Sequence, residues 1–313
     1  MFAGSLQDLD WKWLLGACVF ALATYAGRAL RWAVLLRPVR PDSSLWNLLS
    51  ATIIGFAAIT LLGRPGEFVR PYLIAAKERV TFSSQLGAWL LERIFDLLFA
   101  LLIFGFALTR VRQSEIEVGP ALSWVLQAGG TFVAVASLVS LTLLLLLARY
   151  SNTMRQRLLD SLKFLPEARY RKASELVDAL VRGVESTRSH HALLQLLAYT
   201  ALEWGLITGC FACAVWAYGS AVPLGLLDIL IFLGFVSFGT IVQLPGVGGG
   251  MQVVAVLVLT ELFAVPLELA TSLALTLWFI TFVVVVPFGL LLAVREGLSW
   301  GWFKAIPRQE VAS

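Results

Sequence analysis

Gly63-Arg64-Pro65-Gly66-Glu67-Phe68-Val69-Arg70-Pro71 breaks one apolar stretch of this chain, and Pro245-Gly246-Val247-Gly248-Gly249-Gly250 breaks another in its second half. Each break lies in sequence hydrophobic enough to enter a bilayer. Hydrocarbon offers backbone groups no hydrogen bond, so non-helical chain at membrane depth survives only inside protein or against a wet cavity. A break in each half is the pattern of discontinuous helices around the substrate site of a transporter built from repeats. Pro65, Gly66, Pro245, Gly246 and Gly248 are therefore the expected structural hinges.

The surrounding composition agrees. The 313 residues are 59% hydrophobic and 14% charged, well below the ~25% charged content of a soluble domain. An integral, all-α, polytopic membrane protein is expected. The net charge of +4 is too small and too confined to loops to suggest nucleic acid. Three cysteines cannot build a disulfide framework. Cys210 and Cys213 form a C-x-x-C inside an apolar run with no second ligand pair, so buried thiols are expected rather than metal or redox chemistry. The first ten residues hold Asp8 and Asp10 and no basic residue, and no small-residue cleavage site follows. Trp11 to about Gly27 is thus read as a retained span, not a signal peptide.

A span needs about 20 apolar residues. Long runs lie at 11–27, 82–108, 121–148, 192–218 and 267–294, with shorter pairs at 45–62 with 68–76 and at 224–244 with 251–264. Cytoplasmic loops collect Lys and Arg. Arg28, Arg31, Arg37 and Arg40 follow the first run without an acid, and residues 149–190 hold nine basic against five acidic residues. These segments and the C-terminus are expected in the cytoplasm, and the N-terminus outside, in the cell inner (plasma) membrane. Parity then makes each short pair a re-entrant hairpin, the first entered from the cytoplasm and the second from outside. Five full spans plus two hairpins make one membrane domain with an inverted repeat. Its first copy is about 11–108 and its second about 192–294, joined by a span at 121–148 and a polar segment at 149–190. The plainer alternative is a pair of kinked helices packed for stability. Ala173, Leu176, Val177, Leu180 and Val184 share a helix face in the polar segment, as an interfacial helix or a solvated connector would. His190 and His191 at its edge read as interfacial, and Trp11, Trp13, Trp300 and Trp302 as an aromatic belt.

Charges inside the apolar runs single out a site. Glu92, Arg93 and Asp96 lie near the middle of the 82–108 run, where each charge costs about 2.5–3.5 kcal/mol on insertion scales. They must pair or face water. Glu92 and Asp96, four apart, share a helix face. Arg93 is expected to pair mainly with Asp96, leaving Glu92 to Arg64, Arg70 or water. Arg64, Glu67 and Arg70 recur every third residue and would point one way on a helical arm. Glu203, the only acid of the 192–218 run, is a candidate partner for Arg93 or Arg64. Guanidinium forks donate parallel hydrogen bonds to phosphate, and free N–H groups at a broken helix end share that preference. A structural ion-pair network is the competing reading. Gln243 and Gln252 flank the second break as neutral hydrogen-bonding groups, and no Lys-Ser/Thr follows its glycines as a nucleotide loop requires. Substrate contact is therefore expected from Arg64, Glu67, Arg70, Glu92, Arg93, Asp96, Glu203, Gln243 and Gln252. No hydrolytic motif, metal set or cofactor loop stands out, so no enzyme and no cofactor are expected. An acid/base pair of Glu92 and Asp96 stays open as a further reading.

Three elements carry a resemblance. They are Arg28-Ala29-Leu30-Arg31-Trp32; the first break continuing to Tyr72-Leu73, with Leu91-Glu92-Arg93-Ile94-Phe95-Asp96; and Leu244-Pro245-Gly246-x-Gly248. Over nearly the whole chain they resemble the lysylphosphatidylglycerol synthase transmembrane region, a flippase-like membrane family. The resemblance implies movement of an amphipathic, phosphate-bearing lipid between leaflets. It also implies a stand-alone form without the soluble aminoacyl-transferring domain, so lysyl-lipid synthesis is not expected of these residues. The family often has an acid where this chain has Gln252 and an Arg in the final span, where Trp278 aligns. A non-transporting accessory subunit for a lipid-modifying enzyme or glycosyltransferase is the rival. The expected partners are the membrane lipid and either a second copy of the chain or a membrane enzyme.

Overall fold

The computed structural model describes residues 9–113, 190–239, 243–244 and 248–298, with isolated short stretches between 135 and 178. Among the described residues the fold is helical apart from one two-residue ladder. Helices α1 (Trp11–Leu36), α2 (Leu45–Leu62), α3 (Val69–Glu78) and α4 (Phe82–Gln113) make the first half. Helices α5 (His190–Trp216), α6 (Leu226–Gly239), α7 (Gly250–Glu261), α8 (Leu267–Trp278) and α9 (Val285–Arg295) make the second. Among the described residues five helices are long and apolar enough to cross a membrane: residues 11–36, 45–62, 82–111, 191–216 and 267–295, the last joining α8 to α9 through one π-helical turn.

One boundary differs from the sequence expectation. The first span does not stop near Gly27 but runs to Leu36, carrying Arg28 and Arg31 inside the helix. Arg propagates helix well, and Ala29, Leu30 and Trp32 to Leu36 keep the segment apolar on either side. The 45–62 segment, expected as a hairpin arm, is an 18-residue helix with those bounds, long and apolar enough by composition to cross. The expected span at 121–148 and most of the 149–190 segment lie outside the described residues.

The chain divides into two compact units, each assembled from three stretches. One comprises Met1–Thr24, Ile94–Leu145 and Thr200–Thr281; the other comprises Tyr25–Arg93, Leu146–Tyr199 and Phe282–Ser313. In the first unit small residues bring helices close, as they do wherever membrane helices pack without a hydrophobic drive between them. Gly16 of α1 faces Cys213 of α5, and Gly209 of α5 lies under the ring of Phe20. Gly234 of α6 sits on Phe104 and Ala107 of α4, beside an edge-to-face contact of Phe104 with Phe235. The Tyr218 hydroxyl meets Ser272 and Thr276 of α8 at 2.9 and 3.0 Å.

The second unit holds the first break. Ser44 caps α2 by accepting the Asn47 amide. The helix ends at Gly63, whose N–H reaches Ile59 O at 2.8 Å. Arg64–Phe68 then winds one 3-10 turn with Pro65 in its first turn, where the missing proline N–H costs nothing. Gly66 lies so close to α2 that a Cβ there would stand 2.5 Å from the Ala58 carbonyl. The chain leaves this turn as α3, a ten-residue helix too short to cross. At the far end of α3, Glu78 accepts from Asn47 Nδ2 at 2.8 Å, and Lys77 donates to Ser50 and Glu296 at 2.6 Å each. Gly289 of α9 packs against Ile53 and Ala57 of α2, and the Thr60 hydroxyl donates to the Phe282 carbonyl of the π-helical turn at 3.0 Å. Both ends of α2 and α3 are therefore anchored.

Candidate functional site: a buried guanidinium cluster

Glu92 is the centre of this site. It lies on α4 and its side chain is 1% exposed, as is that of Arg31 on α1. Arg31 Nη2 donates to Glu92 Oε1 at 2.5 Å. Arg70 on α3 donates from Nη1 to Oε1 at 3.1 Å and from Nη2 to Oε2. Arg28 Nη1 and Arg93 Nη2 each lie 3.9 Å from Oε1. One carboxylate thus gathers four guanidinium groups from three helices.

The surroundings orient these cations. The Arg70 guanidinium lies 4.3 Å from the centre of the Trp32 ring and 5.5 Å from that of Phe56. Trp32, itself buried, donates its indole N–H to Gln85 Oε1 at 2.9 Å, and Gln85 donates on to Ser84. Arg28 covers the other aromatic support, 4.6 Å from the Phe56 centre, and Tyr25 packs against the same ring. Rings under cations are attractive through the quadrupole, and here they also fix where each fork points. Gly55 permits the approach: a Cβ there would stand 2.6 Å from Arg70 Cβ.

The sequence candidates separate. Arg70, Glu92 and Arg93 come together. Arg64 is exposed and Glu67 half-buried on the 3-10 turn, whereas Arg70 is buried one turn on, so the three do not share one environment. Asp96 is half-buried on α4. Glu203 is buried on α5, in the other unit. Gln252 caps α7, its Oε1 accepting the Gly249 amide at 2.7 Å. Gln243 pairs with Gly249 and Leu244 with Gly248 in the short ladder; Pro245 and Gly246 lie outside the described residues. Sequence reasoning missed Arg28 and Arg31, which it assigned to a cytoplasmic loop. The available signal was the apolar sequence continuing past them to Leu36, which keeps both within the helix. Trp32 entered only as the last residue of the Arg28–Trp32 element that carries the resemblance, and Gln85 carried no signal of its own.

Crossing helices around a buried ionic centre define a multi-pass membrane protein whose interior is built for charge. The profile described as the lysylphosphatidylglycerol synthase TM region matches residues 2–289, and the chain belongs to that family. No curated protein and no solved structure matches the chain.

Proposed function

We propose that this protein moves an amphipathic, phosphate-bearing lipid between the leaflets of the cell inner membrane, without catalysing a reaction on it. The observation that carries this reading is the Glu92 centre. Four guanidinium groups converge on one carboxylate; Arg28, Arg31, Glu92 and Arg93 lie on helices apolar enough to span, and Arg70 on the short α3. Charge at that depth is costly and usually belongs to a substrate pathway, and guanidinium forks match phosphate oxygens. Membership of a lipid-associated membrane family supports the same class of substrate. In this reading the two helix–break–helix units are re-entrant arms of an inverted repeat that exposes the centre alternately to each side, with the N-terminus outside and the C-terminus cytoplasmic. The lipid is the principal partner.

A second reading has its own support. Arg31, Glu92 and Arg70 are almost wholly buried, as a register-fixing network in a non-transporting accessory subunit would be. Reconstitution separates the two. Fluorescent phosphatidylglycerol in proteoliposomes should become accessible to an external quencher with wild type and not with Arg70→Ala at equal folded yield. Arg70→Lys should recover only part, because a point charge replaces a fork. Quencher access no faster than in protein-free vesicles would favour the accessory role.

A further inference from the structure

Arg70 is held by contacts of two kinds. The edge of its guanidinium closes on Glu92, Nη1 donating to Oε1 at 3.1 Å and Nη2 to Oε2. Its face rests 4.3 Å from the Trp32 ring centre and 5.5 Å from that of Phe56. Trp32 is fixed in turn by its bond to Gln85, and the stem of Arg70 packs on Gly55. None of these last contacts involves Glu92, so the guanidinium keeps its place and direction when the fork opens. Glu92 divides differently. Its Oε1 accepts from Arg31 as well as from Arg70, whereas among the described residues Oε2 accepts from Arg70 alone. Releasing Arg70 therefore leaves the carboxylate on Arg31 at 2.5 Å rather than bare. Arg31 and Glu92 stand on helices long enough to cross, and Arg70 on the ten-residue α3 that follows the break. Just before it Arg64, Pro65 and Phe68 are exposed, so the end of α3 that carries Arg70 is the end next to the surface.

We infer that Glu92 is a tethered stand-in for phosphate: a phosphate group displaces its carboxylate from the Arg70 fork, while Glu92 stays on Arg31. Carboxylate and phosphate both present two oxygens to a guanidinium fork, so the exchange replaces one bidentate pair by another. Trp32 and Phe56 hold the fork during the exchange, and the returning carboxylate expels the phosphate afterwards. In the described state the fork is closed on Glu92. Apparent affinity for phosphate is then reduced by the fraction of molecules in which the fork is open. The exchange deepens the transport reading and rests on it only for a lipid as the source of the phosphate.

The test is a gain of binding on removing an acid. Wild type and Glu92→Gln go into nanodiscs of phosphatidylglycerol with phosphatidylcholine, and native mass spectrometry counts retained phosphatidylglycerol. Inorganic phosphate is titrated in parallel against chloride at equal ionic strength, with the thermal midpoint as readout. Glu92→Gln should retain about tenfold more phosphatidylglycerol than wild type, the gain expected when an open state populated at about 10% becomes the dominant one. A gain for phosphatidylglycerol assigns the phosphate to a headgroup, and a midpoint raised by inorganic phosphate alone assigns it to a soluble anion; either supports the exchange. Equal or weaker binding than wild type in both arms overturns it. Adding Arg70→Lys to Glu92→Gln keeps the charge and removes the fork, so the gain should fall severalfold. A gain that survives this change comes from the lost negative charge alone and also overturns the exchange. If Glu92→Gln does not fold, Glu92→Asp carries the test. Its shorter arm still gives Arg31 an anion but competes less well for Arg70, so retention should rise severalfold, and unchanged retention is decisive against the idea. Quencher assays on the same preparations keep the two readings apart. A gain of binding without lipid movement by wild type sinks transport and leaves the exchange standing; wild-type movement without the gain does the reverse.

Discussion

The two breaks solve one problem by opposite means. At the first, the backbone leaves α2 at Gly63, winds a single 3-10 turn, and is held by what packs on it: Gly66 against the Ala58 carbonyl, Gly55 against Arg70, and the Arg70–Glu92 bonds. At the second, the described residues are held by their own backbone and one neutral side chain: the Gln243–Gly249 and Leu244–Gly248 ladder, with Gln252 closing on Gly249. Among the described residues the first break is a charged, tightly packed joint, and the second shows a short ladder with a neutral cap. Among the described residues only the first brings a set of cations with it.

Substitutions at four positions sharpen that contrast, in descending order of expected effect. Glu92→Ala removes the anion that Arg31 and Arg70 share, and with it both hydrogen bonds of the Arg70 fork. Breaking a buried pair this way costs about 3–5 kcal/mol, so the protein in detergent should lose folded yield or show a strongly lowered unfolding midpoint. A midpoint within a degree or two of wild type would mean that the first break is not held by charge.

The glycines come next, and they fail for different reasons. Gly66→Ala pushes a methyl into the backbone of α2, an overpacking cost of about 1–3 kcal/mol. Gly249→Ala meets a conformation of φ 138°, ψ −118°, which costs about 1–3 kcal/mol in strain whatever the space. The joints part on suppression. Ala58→Gly leaves the clash at Gly66→Ala in place, because the atoms met are carbonyl and amide rather than a side chain. The first defect should therefore resist nearby truncation, and thermal unfolding of the double variant checks it.

The smallest effect belongs to the cap. Gln252→Ala leaves the Gly249 amide without its side-chain acceptor, a loss of about 0.5–2 kcal/mol by analogy with other helix caps. Gln252→Glu keeps an acceptor in place and should unfold at the wild-type temperature. An unfolding midpoint as low for Gln252→Glu as for Gln252→Ala would show that the amide nitrogen, not the oxygen, matters here.

Much of this protein is legible in local composition. Its membrane class, the positions of most helices and both breaks follow from 59% apolar content and from where Gly and Pro interrupt it, because backbone in hydrocarbon must bond to itself. The isolated charges at Glu92 and Arg93 also announced a site, since a charge at that depth needs a partner. Which partner they meet depends on packing. Arg31 stands 61 residues from Glu92, and no spacing rule within one helix relates them. Only the approach of α1 and α3 to α4 could choose Arg31 and Arg70 as the direct counter-ions, hold Arg28 and Arg93 at 3.9 Å, and leave Arg64 at the surface.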